Sequence, residues 1–232
     1  MHNPRIFRFE SLESTSTYAK ENAAGLPIPS IISANAQTAG RGRQGKTFFS
    51  PHGTGLYFTL LFEAKDEADM ITLAAANSVC RAIEKLTDKK PAIKWVNDIF
   101  LNGKKICGIL SECFFLNGRR LIALGIGINL TTEEFPADLP QAGSLDFDGN
   151  KEKLMLEIAE AMLDYAENPD NKSVRNEYES RLFVLSQKIT YIKDNIEYSA
   201  TVEGINDFCH LLVKRSDGTN DILSSGEISI KI

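Results

Sequence analysis

The sequence predicts an α+β protein in which helices pack on a mixed β-sheet and a small β-barrel follows. Three observations support this. Strand-like and helix-like apolar patterns alternate through roughly the first 185 residues. Two Asn-Gly dipeptides, Asn102-Gly103 and Asn117-Gly118, lie between apolar runs, and this dipeptide favours the type I′ turn of a β-hairpin. Five short strand-like runs with turn signals between them follow Leu185, as expected for a small barrel.

The N-terminal elements are read from periodicity and capping. Residues 5–10, "RIFRFE", alternate apolar and polar side chains and predict a strand. The next segment, "STSTYAKENAAG", combines Ser and Thr cap candidates with helix formers and predicts a short helix that stops at Gly25. Residues 29–37 predict a second strand that leads into a glycine-rich loop.

The central part of the chain alternates between the apolar spacing of strands and that of helices. Residues 55–63 predict a strand, and residues 66–86 carry apolar side chains at helical spacing. The run "AIKWV" predicts a buried strand, and the two Asn-Gly turns then predict a strand meander up to residue 130. This order of strands and helices favours helices packed on a sheet.

The last third of the chain predicts a loop, two helices and the barrel. Residues 131–150 are rich in Pro, Asp and Gly, and the helices are expected at 151–165 and 173–182. The five barrel strands are expected in "QKITYI", "EYSATVEGI", "CHLLVKR", "NDILS" and "GEISIKI". We therefore predict a domain of residues 1–185 and a second domain of residues 186–232.

Composition and charge restrict the function. The formal net charge is −5 and the pI is near 5.4, which argues against a dedicated nucleic-acid binder. The N-terminus has no apolar signal-peptide core, and no run of 18 apolar residues predicts a membrane span. The four cysteines form no C-x-x-C pair and His is rare. We therefore expect no zinc site, and buried free thiols in a reducing cytosol.

The stretch "AQTAGRGRQGKTFFSPHG" interleaves three glycines with three cations between residues 40 and 46. Glycines let backbone N–H groups converge on one point, and converging donors together with positive charge suit a phosphate. Neither the Walker A pattern nor the dinucleotide fingerprint is present. Taken alone, the stretch is equally consistent with a mobile basic surface loop.

Three further clusters have candidate chemistry. Lys94, Asn97 and Asp98 flank the single Trp of the chain, and Lys105 enters an apolar strand near Gly108. "ESTSTYAK" places hydroxyls at a strand–helix junction, where N-capping is their commonest use. "GIGINL" has glycines inside an apolar strand, which indicates either a close approach to the backbone or a tight sheet contact.

The ordered set "ESTSTYA", "AQTAGRGRQGK", "KWVNDIFLNGKKICGIL" and "GIGINL" resembles biotin protein ligases over residues 7–130. "GEISIKI" resembles the small SH3-like domain of that family. The resemblance implies a class II aminoacyl-tRNA synthetase-like catalytic core. It also implies a two-step reaction: biotin and ATP form biotinyl-5′-AMP and pyrophosphate, with Mg²⁺ held mainly by the phosphates. A lysine of a biotin carboxyl carrier protein then takes the biotin and AMP is released.

The resemblance also implies roles for individual residues. Lys105, Arg41 and Asp98 are the catalytic candidates, with Asp98 either orienting groups or acting as a base toward the acceptor lysine. The following residues would bind biotin: Ser14, Thr15, Gln37, Gly40, Arg41 through its backbone, Gly108 and Gly127. The following would bind ATP or the adenylate: Arg41, Arg43, Lys46, Phe48, Asn97, Lys105 and Asn129. No protein metal ligands are implied, and the glycine loop is expected to be a lid that is mobile when empty.

The chain departs from the family pattern at three positions. Val96 stands where Pro is usual, Phe48 where Trp is frequent, and Lys46 where Arg is common, which keeps the charge but loses the bidentate fork. A lipoate or octanoate ligase is the alternative, although its usual arginine with adjacent glycines is missing. A nucleic-acid module that uses the basic loop is a further alternative.

The remaining expectations concern partners and location. The first catalytic strand begins near Ile6, so we expect no helix-turn-helix domain and no DNA binding. The protein is expected to be cytoplasmic, a monomer or homodimer, and not associated with membranes. In the small domain, Glu227 and Lys231 are candidates for ATP contact.

Overall fold

Two β-sheets organise the chain, and helices cover the first of them. The computed structural model describes residues 2–64, 68–194, 196–224 and 228–230. The strands of the first sheet are β1 (Arg5–Leu12), β2 (Ser30–Gln37), β3 (Gly55–Glu63), β4 (Ala92–Lys94), β5 (Asp98–Leu101), β6 (Lys104–Leu116) and β7 (Arg119–Asn129). They lie in the order β1-β2-β3-β7-β6-β5-β4. The β1–β2 pair is parallel and the other five pairs are antiparallel.

The helices divide unequally between the two faces of this sheet. They are α1 (Thr15–Glu21), α2 (Ala68–Leu86), α3 (Lys151–Glu167) and α4 (Asn171–Arg181). Helices α2 and α3 contact the sheet on one face, and α4 packs on α2. On the opposite face, Ala19 of α1 and Ala23 in the turn after it pack against Ile32, Leu61 and Leu121. Because α1 has only seven residues, part of that face stays open.

The two hairpins form where Asn-Gly predicts them. Asn102 and Gly103 have φ of 50° and 75°, and Asn117 and Gly118 have φ of 51° and 75°. Positive φ at both central residues is the requirement of a type I′ turn. These turns join β5 to β6 and β6 to β7, so the predicted meander is confirmed.

The second sheet consists of the five predicted C-terminal strands. They are β8 (Lys188–Lys193), β9 (Ile196–Ile205), β10 (Leu211–Arg215), β11 (Asn220–Leu223) and β12 (Ile228–Ile230), in the order β11-β10-β9-β8-β12 and antiparallel throughout. The predicted fold class, a helix-covered mixed sheet followed by a small β unit, is confirmed. The candidates Glu227 and Lys231 lie outside the described residues.

The second sheet packs against the first at the β4–β5 end. The buried Trp95 side chain donates a hydrogen bond from Nε1 to the carbonyl oxygen of Cys209, at 3.0 Å. The backbone N–H of Ile205 donates to Oε1 of Glu179 at 3.3 Å. Between the sheets, Leu182 pairs with Ile93 of β4 in a parallel bridge. The C-terminal strands therefore support the end of the sheet that carries Asp98.

Some sequence expectations need correction. The expected strand "AIKWV" ends at Lys94, and its last two residues are buried in a turn. The predicted helix at 173–182 is α4, which begins two residues earlier. Cys113 is exposed, whereas the other three cysteines are buried. Strand β6 has 13 residues and extends beyond the helices that cover its face, which leaves Phe115 exposed as well.

Candidate active site

The open part of the sheet face forms a cavity of about 430 Å³. Strand register explains which residues line its floor. Asp98 pairs with Gly108, Gly108 with Gly127, and Gly127 with Tyr57, so these four residues form one row across the strands. Paired residues point to the same face of a sheet. Two glycines in the middle of this row lower the floor, which makes room there.

Phe48 occupies the space above these glycines. A Cβ added to Gly127 would lie 2.5 Å from Cε1 of the Phe48 ring, and one added to Gly108 would lie 3.1 Å from its Cε2. The ring therefore rests on backbone that carries no side chain. Gly108, Gly127 and Phe48 thus contact one another. The expected contacts of the glycines with biotin and of Phe48 with adenine stay predictions. The Tyr57 ring meets Phe48 edge-on at 6.4 Å between centroids.

Hydroxyl and amide groups form one end of the cavity. Gln37 Oε1 accepts hydrogen bonds from the backbone N–H of Thr15 at 2.9 Å and from its Oγ1 at 3.2 Å. Thr59 Oγ1 donates to Thr15 Oγ1 at 2.9 Å, and Gln37 Nε2 donates to Ser50 Oγ at 2.9 Å. Both lone pairs of Gln37 Oε1 are therefore used, and one N–H of its amide is left for a ligand. Ser14 lines this end and caps α1 by accepting from the N–H of Thr17.

Lys105 and Asp98 form the charged end. Lys105 Nζ lies 2.6 Å from Asp98 Oδ1, and both side chains are partly buried. At this distance the ammonium engages the buried oxygen directly, so each group holds the other in place. Lys105 is held by backbone hydrogen bonds with the segment that follows β7: its N–H donates to Gln141 at 2.7 Å, and its carbonyl accepts from Gly143 at 2.9 Å.

Of the two asparagines predicted for this site, Asn97 lines the cavity, whereas Asn129 is buried and is not among the lining residues. Asn97 donates from Nδ2 to the carbonyl of Ile109 at 2.8 Å. The contact of its side-chain amide with the nucleotide stays a prediction. Asn129 donates from Nδ2 to the carbonyl of Gly143 at 3.0 Å. The buried Oδ1 of Asn129 has no hydrogen-bond partner among the described residues. A buried acceptor without a partner is unfavourable, and the predicted contact of Asn129 with the nucleotide stays a prediction.

The glycine loop is a short hairpin over the cavity. Its base is closed by hydrogen bonds from Gly42 N to Lys46 O and from Phe48 N to Gly40 O, each 2.8 Å. Gln44 and Gly45 at its tip have φ of 54° and 75°, values that disfavour side chains with a branched Cβ. A Cβ at Gly40 would collide with the Phe48 carbonyl oxygen. The hairpin thus requires Gly40 for steric reasons.

All three cations of the hairpin line the cavity. Arg43 and Lys46 line it, and no carboxylate pairs with Arg43 in the described part of the chain. Arg41 also lines the cavity, but its guanidinium lies 3.2 Å from Glu112 Oε1. Lys94 and Lys105 line the cavity as well, so five cationic residues among those described surround it.

Several lining residues were missed by sequence reasoning. The segment 138–142 forms one wall, and Ser16, Thr59 and Ser50 extend the hydroxyl network. Thr59 lies opposite Gly125 in the sheet register, so its position follows from strand pairing that the sequence does not state. The wall at 138–142 has no periodic pattern that could have identified it.

A protein-only metal site is not evident. No group of three or more His, Cys, Asp or Glu side chains that could hold a metal ion occurs among the described residues. Mg²⁺ keeps several waters and is bound through one or two carboxylates together with substrate phosphates, and the carboxylates of Asp98 and Asp138 line the cavity. The residues therefore fit a magnesium ion that arrives with a nucleotide.

Comparison with known proteins decides the family. The sequence model of the biotin/lipoate A/B protein ligase family matches residues 8–129, more than half of the 232 residues. The chain belongs to the biotin/lipoate A/B protein ligase family. The biotin--[acetyl-CoA-carboxylase] ligase of Paracoccus denitrificans is 35% identical over 144 residues, which cover 58% of this chain and 55% of that protein.

The bifunctional ligase/repressor BirA of Bacillus subtilis is 37% identical over 135 residues, which cover 55% of this chain. The match covers 42% of the length of that protein, so less than half of the Bacillus subtilis protein has a counterpart in this alignment.

Solved structures of family members extend the likeness to the whole chain. The biotin protein ligase from Aquifex aeolicus in complex with biotin and ATP has a TM-score of 0.82 and 24% identity, covering 98% of both chains. At this identity the likeness shows the fold. The biotin protein ligase from Leishmania major in complex with biotinyl-5-AMP has a TM-score of 0.67 and 26% identity, covering 97% of this chain and all of the other.

Proposed function

We propose that this chain joins biotin to ATP and transfers the biotinyl group from biotinyl-5′-AMP to a lysine of a biotin carboxyl carrier protein. The observation that carries the proposal is a single cavity with a hydroxyl-amide end, a glycine floor and a cationic end. Biotin has the same order of chemistry: a neutral ureido ring, an apolar chain and a carboxylate. Relatives whose names describe biotin ligation support it.

The hydroxyl-amide end recognises the ureido ring in this proposal. A ureido group has donors on its nitrogens and an acceptor on its oxygen, so it needs partners of both kinds. Gln37 has one amide N–H left as a donor, and the hydroxyls of Ser14 and Thr15 act as either donor or acceptor. A site that forms hydrogen bonds to a polar ligand rejects analogues without those groups, because its own buried groups would then lose their partners.

The cationic end brings the biotin carboxylate and the α-phosphate of ATP together. Two anions repel at bonding distance, and fixed positive charge in a site with little water offsets that repulsion. Lys105 is the residue assigned to both anions, because its ammonium reaches the cavity and its backbone is held on both sides. Arg43 and Lys46 supply charge from the hairpin, and Phe48, Asn97 and Asn129 hold the nucleotide. Bound Mg²⁺ neutralises phosphate charge.

Asp98 has two roles in the proposal. Its carboxylate lies 2.6 Å from Lys105 Nζ and holds that ammonium toward the cavity. Its carboxylate is also assigned as the proton acceptor for the incoming acceptor amine, which must be neutral to attack the adenylate.

Lys105→Ala tests the proposal, with the neighbouring Lys104→Ala as matched control. Lys104 donates from Nζ to the carbonyl of Pro140 and is exposed. We expect Lys105→Ala to reduce biotin-dependent ATP–pyrophosphate exchange about 10²- to 10³-fold without unfolding the protein. Lys104→Ala should retain nearly wild-type exchange. Equal exchange in the two variants would refute the role of Lys105.

The same exchange assay distinguishes a biotin ligase from a lipoate or octanoate ligase. Replacing biotin by lipoate or octanoate tests the alternative function, and exchange that depends on lipoate instead of biotin would overturn the proposal. Labelling of a purified biotin carboxyl carrier domain then tests the second step. Absence of labelled carrier with normal exchange would reject the proposed acceptor.

Three further statements are proposals of the same kind. We place the boundary of the catalytic unit at Leu185, supported by the start of the second sheet at Lys188. A cytoplasmic location is supported by four free cysteines, because disulfides are rare in reducing compartments. The protein acts as a monomer or homodimer without binding DNA. No helix among the described residues is long and apolar enough to cross a membrane.

A further inference from the structure

Glu112 on β6 links two cations from different parts of the chain. Its Oε1 lies 2.7 Å from Lys20 Nζ of α1 and 3.2 Å from Arg41 Nη1 of the glycine hairpin. We propose that Glu112 is a positioning residue that latches the hairpin onto the sheet through Arg41. This inference rests on the proposed function, because the hairpin is the lid of the proposed adenylate site.

The geometry places the latch at the entry to the hairpin. Arg41 follows Gly40, whose carbonyl closes the hairpin base by accepting from Phe48 N. Arg41 itself bridges to Thr47 on the returning strand. Holding the Arg41 side chain therefore holds both strands of the hairpin base. Because Glu112 lies in the middle of β6, it offers a fixed point in the sheet.

Burial is uneven across this cluster. The Glu112 side chain is 21% exposed and that of Lys20 is 27% exposed, whereas that of Arg41 is 43% exposed. Partly buried charges are screened less by salt than exposed ones. If Glu112 lost its charge, Lys20 and Arg41 would face each other as like charges without the carboxylate between them. Their repulsion would then push the hairpin away from α1 and the sheet.

The latch also assigns the Arg41 side chain a role other than binding the substrate anions. While its guanidinium contacts Glu112, it is held beside the sheet, and binding of the adenylate is left to the other cations that line the cavity. The Arg41 backbone keeps its place beside the cavity. Arg41 thus fastens the lid, and the neighbouring cations act on the ligand.

Hydrogen exchange of the hairpin amides measures the latch without reference to catalysis. Opening the hairpin breaks the hydrogen bonds donated by Gly42 and Phe48, so their amides report it. We expect Glu112→Gln to speed their exchange about three- to fivefold, the size that partly exposed charge pairs reach in double-mutant cycles. Glu63→Gln is the matched control, because Glu63 pairs with Arg119 at 2.8 Å on the same sheet, away from the cavity.

A double-mutant cycle separates a latch from a general loss of structure. Arg41→Gln should speed the exchange of the hairpin amides as much as Glu112→Gln, and the double variant should add little. Additive effects, or exchange in Glu112→Gln equal to that in Glu63→Gln, would overturn the proposal. If Glu112→Gln failed to fold, unchanged hairpin exchange in Arg41→Gln would overturn it alone.

Steady-state kinetics then connect the latch to the reaction. Loss of the latch should raise the KM for biotin and ATP severalfold with a smaller change in kcat, because a lid that opens more often weakens the binding of both substrates. A wild-type protein without biotin-dependent exchange would refute the proposed function instead. The hydrogen-exchange result would still decide whether the latch exists.

Discussion

Gly127→Ala adds one methyl group to the floor of the cavity. The new Cβ would lie 2.5 Å from Cε1, 2.8 Å from Cζ and 2.9 Å from Cδ1 of the Phe48 ring. The shortest of these is 0.9 Å below the 3.4 Å at which ordinary contact begins. Gly127 has no positive φ, so alanine suits the backbone and the conflict is with the ring alone.

The size of the effect of Gly127→Ala depends on whether strand β7 or the Phe48 ring moves. Gly127 is fixed in β7 between two paired strands, whereas Phe48 belongs to the hairpin, so we expect the ring to move. Alanine in place of glycine within a strand adds roughly 0.5–1 kcal/mol of stability, and displacing a packed ring costs about 1–3 kcal/mol. These nearly offset each other in the free energy of unfolding, but both the lost space and the displaced ring reduce binding.

Three variants make the test quantitative. Gly127→Ala should weaken binding of biotin with ATP about tenfold or more, the equivalent of ~1.4 kcal/mol. Gly108→Ala should have a smaller effect because its contact with the ring is 3.1 Å. Gly25→Ala is the control, with no atom within 3.8 Å of the added methyl. Isothermal calorimetry gives the affinities and thermal melting gives the stabilities. Wild-type affinity in Gly127→Ala would refute the contact between Phe48 and the floor.

Two predictions concern titratable groups outside the reaction. Burial raises the pKa of the Tyr57 phenol to about 12, above its unfolded value, so the folded protein keeps a proton that the unfolded chain releases. Stability should fall as pH rises from about 10 to 12, by about 2–3 kcal/mol, and pH-dependent urea melts of Tyr57→Phe should lack that part of the decline. Cys113 should react quickly with a thiol reagent, because it is exposed. The remaining thiols should react only on unfolding, since burial raises their pKa: Cys80 to about 12, Cys209 to about 11 and Cys107 well above its ordinary value. More than one fast thiol per folded chain would contradict this assignment.

Local rules predicted much of the fold. The Asn-Gly turns fixed the meander because their required positive φ is a property of those residues. The five C-terminal strands were recognised because turn residues separate them. The exposure of Cys113 was not predicted, because alternation along a strand gives the face of a residue but not where the covering helices end.

The sequence indicated which residues line the cavity better than it indicated which of them contact one another. Thr15, Gln37 and Lys105 do line one cavity, as the ordered motifs indicated. The sequence did not indicate that Phe48 would lie on Gly127, or that the Arg41 side chain would pair with Glu112. Both depend on how the hairpin folds back over the sheet, and no local pattern encodes such a contact between distant segments.

The pairing of Leu182 and Phe183 with β4 has a further consequence. β4 is the last strand of the first sheet, and the N–H of Phe183 donates to the carbonyl of Ile93 at 3.2 Å. An uncovered edge strand offers its backbone to other chains and promotes aggregation. A fragment that stops after α4, at Arg181, would expose this edge, whereas one that continues through Leu185 would keep it covered. Leu182 and Phe183, which connect the two sheets, therefore also cover the β4 edge and disfavour self-association through it.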